Sequence, residues 1–300
     1  MAATYNVTEF ILLGLSPNQE VQRVCFVIFL LLYMAMVLEN FLIVLTVMTS
    51  RSLGSPMYFL LSYLSSVEIC YSSTMTPKVI SDLLVERKTI SLWCCMTELF
   101  FMHFFGGTEM SLLTVMAYYQ YVTICKPLNY TTIMSQQVCM VLVGMAWAGG
   151  FMHSFAQILL IFQLPFCDPD VIDHYFCDVL PLLELSCSDT FFIGLLIVAN
   201  WGTLNVISLS VLSTSYVVIL LHLRTPKGRR KALSTCGAHF TVVALFFVPC
   251  IFIYMHPSST LSIDKHVTVF YGILTPMLNP LIYILRNEEV KAAMRKLFTL

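Results

Sequence analysis

Charge is what this sequence has least of. Asp, Glu, Lys and Arg make up 11% of its 300 residues, against roughly 25% in an average soluble domain. So few charges cannot clothe a water-facing surface, so much of the chain must have lipid as its solvent. A net charge of −1 offers no basic surface, and no nucleic-acid partner is expected. Linkers rich in Gly and Ser, low-complexity tracts and half-to-half repeats are missing. The missing repeat argues against a transporter, whose halves commonly mirror each other. Residues 1–20 hold no short apolar run with a small-residue cleavage site, so the first long apolar helix is expected to act as its own insertion signal. Neither His-Glu-x-x-His nor Gly-x-Ser-x-Gly occurs. No enzyme, cofactor or metal centre is expected.

What is abundant is apolar: 58% of residues are hydrophobic. A spanning helix needs about 20 such residues in a row. The stretches that qualify are Val24–Met48, Met57–Leu84, Leu92–Cys125, Val138–Phe162, Phe191–Leu221, Ala232–Met255 and Val267–Leu285. The spacing predicts an all-α membrane protein, one domain over 1–300, with a seven-helix bundle over 24–285. The third stretch exceeds a straight span, which predicts tilt or a cytoplasmic extension.

Basic residues orient the chain. Arg51, Lys126, Arg224, Lys227, Arg229, Arg230, Lys231, Arg286, Lys291, Arg295 and Lys296 fall on one side; Arg23, Lys78, Arg87, Lys88 and Lys265 fall on the other. The richer side should be cytoplasmic. Residues 1–23 are then extracellular and 286–300 form a cytoplasmic tail, in a multi-pass plasma-membrane protein. Asn6-Val7-Thr8 is a glycosylation sequon on the outer side, whereas Asn129-Tyr130-Thr131 falls inside and should be silent. Val290, Met294, Leu297 and Phe298 recur at helical spacing between Lys291, Arg295 and Lys296, with Asn287 as a candidate cap. That pattern predicts a short amphipathic helix on the inner membrane face.

Of 11 cysteines, Cys94, Cys95, Cys167, Cys177 and Cys187 lie at the oxidising outer face, where disulfides are expected. Spacing alone does not pair them. The longest loop, 163–190, carries Asp168, Asp170, Asp173, Asp178, Glu184 and Asp189 without Lys or Arg, and is expected to fold as a lid. His174-x-x-Cys177 supplies only two metal ligands, and disulfide use of Cys177 is the stronger reading.

Charged side chains are expensive inside a span and should face the bundle interior. Glu39, Glu68, Glu98, His103 and Glu109 occupy such positions. Glu68 and Glu109 could share a proton or hold a cation; equally, each could be protonated and bonded to Asn40, Ser65 or Asn279. Gly106 and Gly107 either leave room for a ligand or mark a close helix seam. Pro249, Pro276 and Pro280 inside spans predict kinks, either static or hinged.

These residues resemble one family along nearly the whole chain. Asn6-Val7-Thr8-Glu9-Phe10-Ile11-Leu12-Leu13-Gly14, Pro56-Met57-Tyr58-Phe59-Leu60, Met116-Ala117-Tyr118 with Tyr121-Val122-x-Ile124-Cys125-Lys126-Pro127-Leu128, Lys231-Ala232-Leu233-Ser234-Thr235-Cys236 with His239, and Pro276-Met277-Leu278-Asn279-Pro280-Leu281-Ile282-Tyr283 stand in order. They are similar to the motifs of the rhodopsin-like G-protein-coupled receptors, specifically the tetrapod-type (class II) olfactory receptors.

The resemblance implies a receptor for small volatile odorants that signals through a stimulatory G protein to raise cyclic AMP. It implies an outer-half cavity lined by Met102, His103, Gly106, Gly107, Asn200, Leu204, Phe247, Cys250, Tyr254 and Gly272. Such a lining is mostly apolar and suits a hydrophobic ligand rather than an amine. It implies disulfides Cys95–Cys177 and Cys167–Cys187, with Cys94 left over. The switch set carried over is Tyr119, Gln120, Tyr121, Tyr216, Asn279, Pro280 and Tyr283.

Three departures stand out. Tyr119-Gln120-Tyr121 replaces the family's Asp-Arg-Tyr, so the usual charge at the G-protein contact is lost. Leu223–Arg230 is a few residues short, and Glu39 stands where the family has Gly. They imply a second reading, a binding-competent receptor with impaired coupling.

Overall fold

The computed structural model describes residues 8–50, 53–166, 170–223, 236–237, 239–249, 251, 268–269, 272, 275–286 and 288–297. In chain order the elements are β1 (Glu9–Leu12), α1 (Gln19–Thr49), α2 (Pro56–Asp82), β2 (Lys88–Ser91), α3 (Leu92–Cys125), α4 (Tyr130–Ile133), α5 (Gln136–Phe162), β3 (Val171–Ile172), α6 (Val179–Glu184) and α7 (Phe191–His222). Then come α8 (His239–Pro249), α9 (Thr275–Arg286) and α10 (Glu288–Leu297).

Helix starts follow local chemistry. Asn18 accepts from the Glu20 amide at 2.9 Å and Ser91 from the Cys94 amide at 3.2 Å, each satisfying an orphan donor. Pro56 occupies the first turn of α2, where its missing N–H costs nothing. The cap at Asn18 lets α1 begin five residues before the apolar run, carrying Gln19–Arg23 as a polar first turn.

Among the described residues, α1, α3, α5 and α7 are long and apolar enough to cross a membrane. α2 is long enough too, but carries Glu68, Lys78 and Asp82. α8 and α9 belong to the sixth and seventh apolar stretches, whose remaining residues lie outside the described set. α1 and α7 turn Val27, Leu31, Leu38, Val206, Ile207 and Leu221 outward, as lipid-facing helices must. α3 is the axis: 61% of its most apolar window is buried, against 22% in α1 and α7. It packs against α2, α5 and α7.

Small residues set the α3–α5 distance. A Cβ built on Gly150 would stand 2.3 Å from Thr108 Oγ1 and 2.7 Å from the Phe104 carbonyl. Ser154, one turn on, donates to the Phe100 carbonyl at 2.5 Å.

The end of the bundle expected from its basic residues to face outward, called outer below, holds a small sheet that the sequence reading did not foresee. β1 lies in the middle, antiparallel to β2 (Phe10↔Ile90, Leu12↔Lys88) and parallel to β3 (Ile11↔Val171, Leu12↔Ile172). Phe10, Leu12, Ile90 and Ile172 are buried with Tyr175, Phe176 and Cys177 in an outer core. Gly14 leaves β1 with φ of 76°, and a Cβ built there would stand 3.0 Å from Lys88 Cε. The Cys95–Cys177 disulfide joins the top of α3 to this cap across 82 residues of sequence. Cys94 is free and exposed.

At the other end, α10 forms where the amphipathic spacing predicted a helix, with Val290 and Met294 buried. Tyr58 donates to Glu289 at 2.6 Å, tying α2 to α10.

Two predictions follow from this packing. Gly150→Ala should cost about 1–3 kcal/mol through overpacking and reduce surface delivery. Gly144→Ala and Gly149→Ala, whose Cβ would meet no atom within 4 Å, should be delivered normally; immunostaining of intact cells reads all three. Cys177→Ser should abolish delivery, since an outer tie of this kind contributes roughly 2–5 kcal/mol, while Cys94→Ser should not.

Candidate functional site

Halfway down the outer part of α3, Met102 and His103 are buried. The indole Nε1–H of Trp201 on α7 donates to His103 Nδ1 at 3.2 Å. His153 on α5 completes an aromatic cluster, its ring 5.1 Å from Trp201 and 5.9 Å from His103. Asn200 donates to the His153 carbonyl at 3.5 Å. The expected residues His103 and Asn200 are thus brought together by two residues that sequence reading passed over, His153 and Trp201. A signal was there: a histidine in an otherwise apolar fourth span is expensive and so needs a reason.

The glycines turn elsewhere. Gly107 faces Gly150 Cα and His153 Cδ2, each 3.4 Å from a built Cβ, and Gly106 faces the Tyr71 ring at 3.6 Å. At these distances a methyl on either residue would make ordinary van der Waals contact. Gly272 lies against Met75 of α2, whose Cε would be 2.4 Å from an added Cβ. Leu204 is half-buried against the inner core cluster, and Phe247 is buried within it. Phe247 meets Phe246 edge-on at 5.4 Å. Cys250 and Tyr254 lie outside the described residues.

Two grooves lie away from these positions. One, about 560 Å³, is at the outer rim between Leu13, Arg23, Leu84 and Lys88. The other, about 480 Å³, lies by Val44, Ser55, Ser62 and Gln136.

Below the histidine cluster, Asn279 gathers two carboxyl groups. Its amide donates to Glu68 Oε1 at 2.8 Å and to Glu109 Oε1 at 3.3 Å. Both glutamates are 1% exposed. Asn40 donates to the Pro276 carbonyl at 3.4 Å. Helices α1, α2, α3 and α9 therefore meet through polar side chains at one level. Pro280, a turn-breaking residue inside α9, is buried beside them. Glu39 is half-buried, and its Oε2 has no partner among the described residues.

At the inner end of α3, Tyr119 and Gln120 are both 6% exposed. The Tyr119 hydroxyl is within hydrogen-bonding reach of Ser55 and the Met57 backbone, at the start of α2. Gln120 Oε1 has no partner among the described residues. Tyr121 packs with Cys236, Tyr216 and Ile219. Tyr216 and His239 Nδ1 share a short hydrogen bond between α7 and α8. The side chain of Tyr283, Asn6, Asn287, Cys167 and the segment 224–230 lie outside the described residues.

A bundle with these inter-helix ties, an outer disulfide cap and an amphipathic inner helix has the form of a seven-helix membrane receptor. A family model described as "Olfactory receptor" matches residues 29–300. Human Olfactory receptor 4X2 is 72% identical, over 97% of this chain and 97% of its own. Human Olfactory receptor 4X1 is 58% identical over 99% and 98%, and mouse Olfactory receptor 4B13 is 58% identical over 98% and 97%. The chain belongs to the olfactory receptor family: it is an odorant receptor of the G-protein-coupled class, a multi-pass membrane protein and not an enzyme.

One buried carboxyl in the outer cap makes its stability depend on pH. Asp178 is buried and accepts from the Val179 amide at 2.7 Å as the cap of α6. Burial pushes its pKa up to about 6. A carboxyl held above its ordinary value favours the folded state when protonated. That contribution is full at low pH and is lost as pH rises through about 6. We therefore expect the purified receptor to be more stable at pH 5 than at pH 7.4 by about 1.4 kcal/mol, since about one pH unit of the titration lies in that window, and to melt correspondingly higher. Asp178→Asn, which still caps the helix, should flatten that dependence in a thermal-unfolding series.

Proposed function

We propose that this receptor binds small hydrophobic volatile molecules in the outer half of the bundle and couples to a stimulatory G protein, raising cyclic AMP. The observation that carries the ligand part is the buried His103–Trp201–His153 cluster, a polar group set among apolar walls. An apolar site with a few placed polar groups suits a small uncharged ligand. The cavity-lining set carried from the sequence includes Met102, His103, Asn200, Leu204 and Phe247. The Glu68–Asn279–Glu109 group serves as the ion- or proton-sensitive element between this region and the inner switch.

The N-terminus faces outward at the plasma membrane, and Asn6 carries a glycan. The basic-loop asymmetry supports this orientation, and the disulfide cap built around β1 suits an oxidising side. Cys167 pairs with Cys187. In support, the Cys187 amide donates to the Pro165 carbonyl at 3.0 Å and Phe166 bridges Ser186, which brings residue 187 beside the approach to 167; Cys187 is itself disulfide-bonded. Membrane lipid covers the exposed apolar faces of α1 and α7.

Tyr119-Gln120 bears on the strength of coupling. A glutamine can hydrogen-bond but brings no charge to a G protein. In a cyclic-AMP reporter assay on a broad volatile panel, with surface expression matched, a double substitution Tyr119→Asp/Gln120→Arg should raise the maximal response several-fold. Equal responses would show that Gln120 suffices for coupling. Silence of both chains at good expression would count against stimulatory coupling.

A further inference from the structure

The histidine cluster has an arithmetic of donors and acceptors that narrows the ligand. An indole N–H only donates, so His103 Nδ1 must accept. A ring that accepts at Nδ1 is neutral and carries its proton on Nε2. His103 Nε2 is therefore an N–H, it is buried, and it has no partner among the described residues. His153 is buried beside it, its ring nitrogens make no close hydrogen bond among the described residues, and the Asn200 side chain is the polar group within their reach; the neutral ring carries one donor and one acceptor. A buried donor without an acceptor is costly, and two facing each other in one apolar bundle need an explanation.

We propose that Trp201 fixes His103 as a hydrogen-bond donor, and that the pair His103–His153 selects odorants bearing an uncharged acceptor oxygen, a ketone, aldehyde, ester or alcohol. The inference rests on the odorant reading above and assigns the headgroup within it. A carbonyl oxygen accepts from His103 Nε2–H. A hydroxyl accepts there and can also donate to the lone pair of His153. A hydrocarbon leaves the N–H groups unpaired. An alkylammonium brings further donors and no acceptor. A metal ion is disfavoured by the same tautomer, since Nε2 would have to lose its proton to ligate. Trp201 acts here as a positioning residue, through His103.

The test uses probes of one chain length: 2-octanone, 1-octanol, n-octane and octylamine. Thermal unfolding of the purified full-length receptor reads binding without reference to G-protein coupling, because a ligand that binds the folded state raises the melting temperature. The two oxygenates should bind about ten-fold tighter than octane, and octylamine no better than octane. His103→Phe should erase the oxygenate advantage, and His103→Asn, which restores an N–H donor, should recover part of it. Trp201→Phe keeps the ring but frees the tautomer, and should weaken the advantage of both oxygenates. His153→Leu should weaken the alcohol more than the ketone.

Equal shifts by octane and the oxygenates overturn the headgroup assignment while leaving a volatile-binding cavity intact. An oxygenate advantage that survives in His103→Phe overturns the role of His103. No shift with any probe overturns this inference and the odorant reading together.

Discussion

Lipid is as apolar as leucine, so burying side chains gives these helices no reason to leave the bilayer for one another. Close packing and polar ties must hold them together, and the described contacts fall into those two kinds. At the α3–α5 seam, Gly150 admits Thr108 and the Phe104 carbonyl where a methyl would collide. Across the bundle, Trp201 reaches His103, Ser154 reaches Phe100, Asn279 reaches Glu68 and Glu109, and Tyr216 reaches His239. These polar residues, costly to insert, are used as ties between spans. The fold depends on that exchange, because a glutamate or histidine facing lipid would oppose insertion.

The outer face obeys different physics. There water is available, so a small soluble-type core forms around Phe10, Ile172 and Phe176, and ladder hydrogen bonds hold three short strands. Strands of two to four residues are marginal alone. The disulfide from Cys95 to Cys177 removes much of the entropy that would otherwise undo them. It also ties the cap to α3, the helix that carries His103 eight residues further in. The cap and the candidate ligand site therefore share one rigid support.

How much of this could be read from residues depends on which signal wrote it. Long apolar runs are a strong signal, and the third span falls at Leu92–Cys125 in both readings. The cysteine pair Cys95–Cys177 needed a family likeness, because spacing alone left five outer cysteines unpaired. The strands were illegible: Phe10 and Leu12 alternate over too few residues to stand out. Gly106 and Gly107 look alike in sequence, yet one meets an α2 ring and the other an α5 backbone. A helix face is decided by rotation, which a two-residue motif does not encode. His153 and Trp201 were missed because a single polar group in an apolar span becomes meaningful only once its partner is known.

The inner end shows how a motif can change while its packing persists. Tyr119 is buried against the start of α2, within reach of the Ser55 hydroxyl and the Met57 backbone, so the position still joins α3 to its neighbour without an ion pair. Gln120 is buried too, but its carbonyl lacks a partner among the described residues. An uncharged amide costs far less to bury than a guanidinium, so this closed arrangement needs no counter-charge. The same substitution leaves this position at the inner end of α3 without a charge. The ligand half depends on none of this, since His103 and Trp201 lie on the outer side of the Glu68–Asn279–Glu109 level.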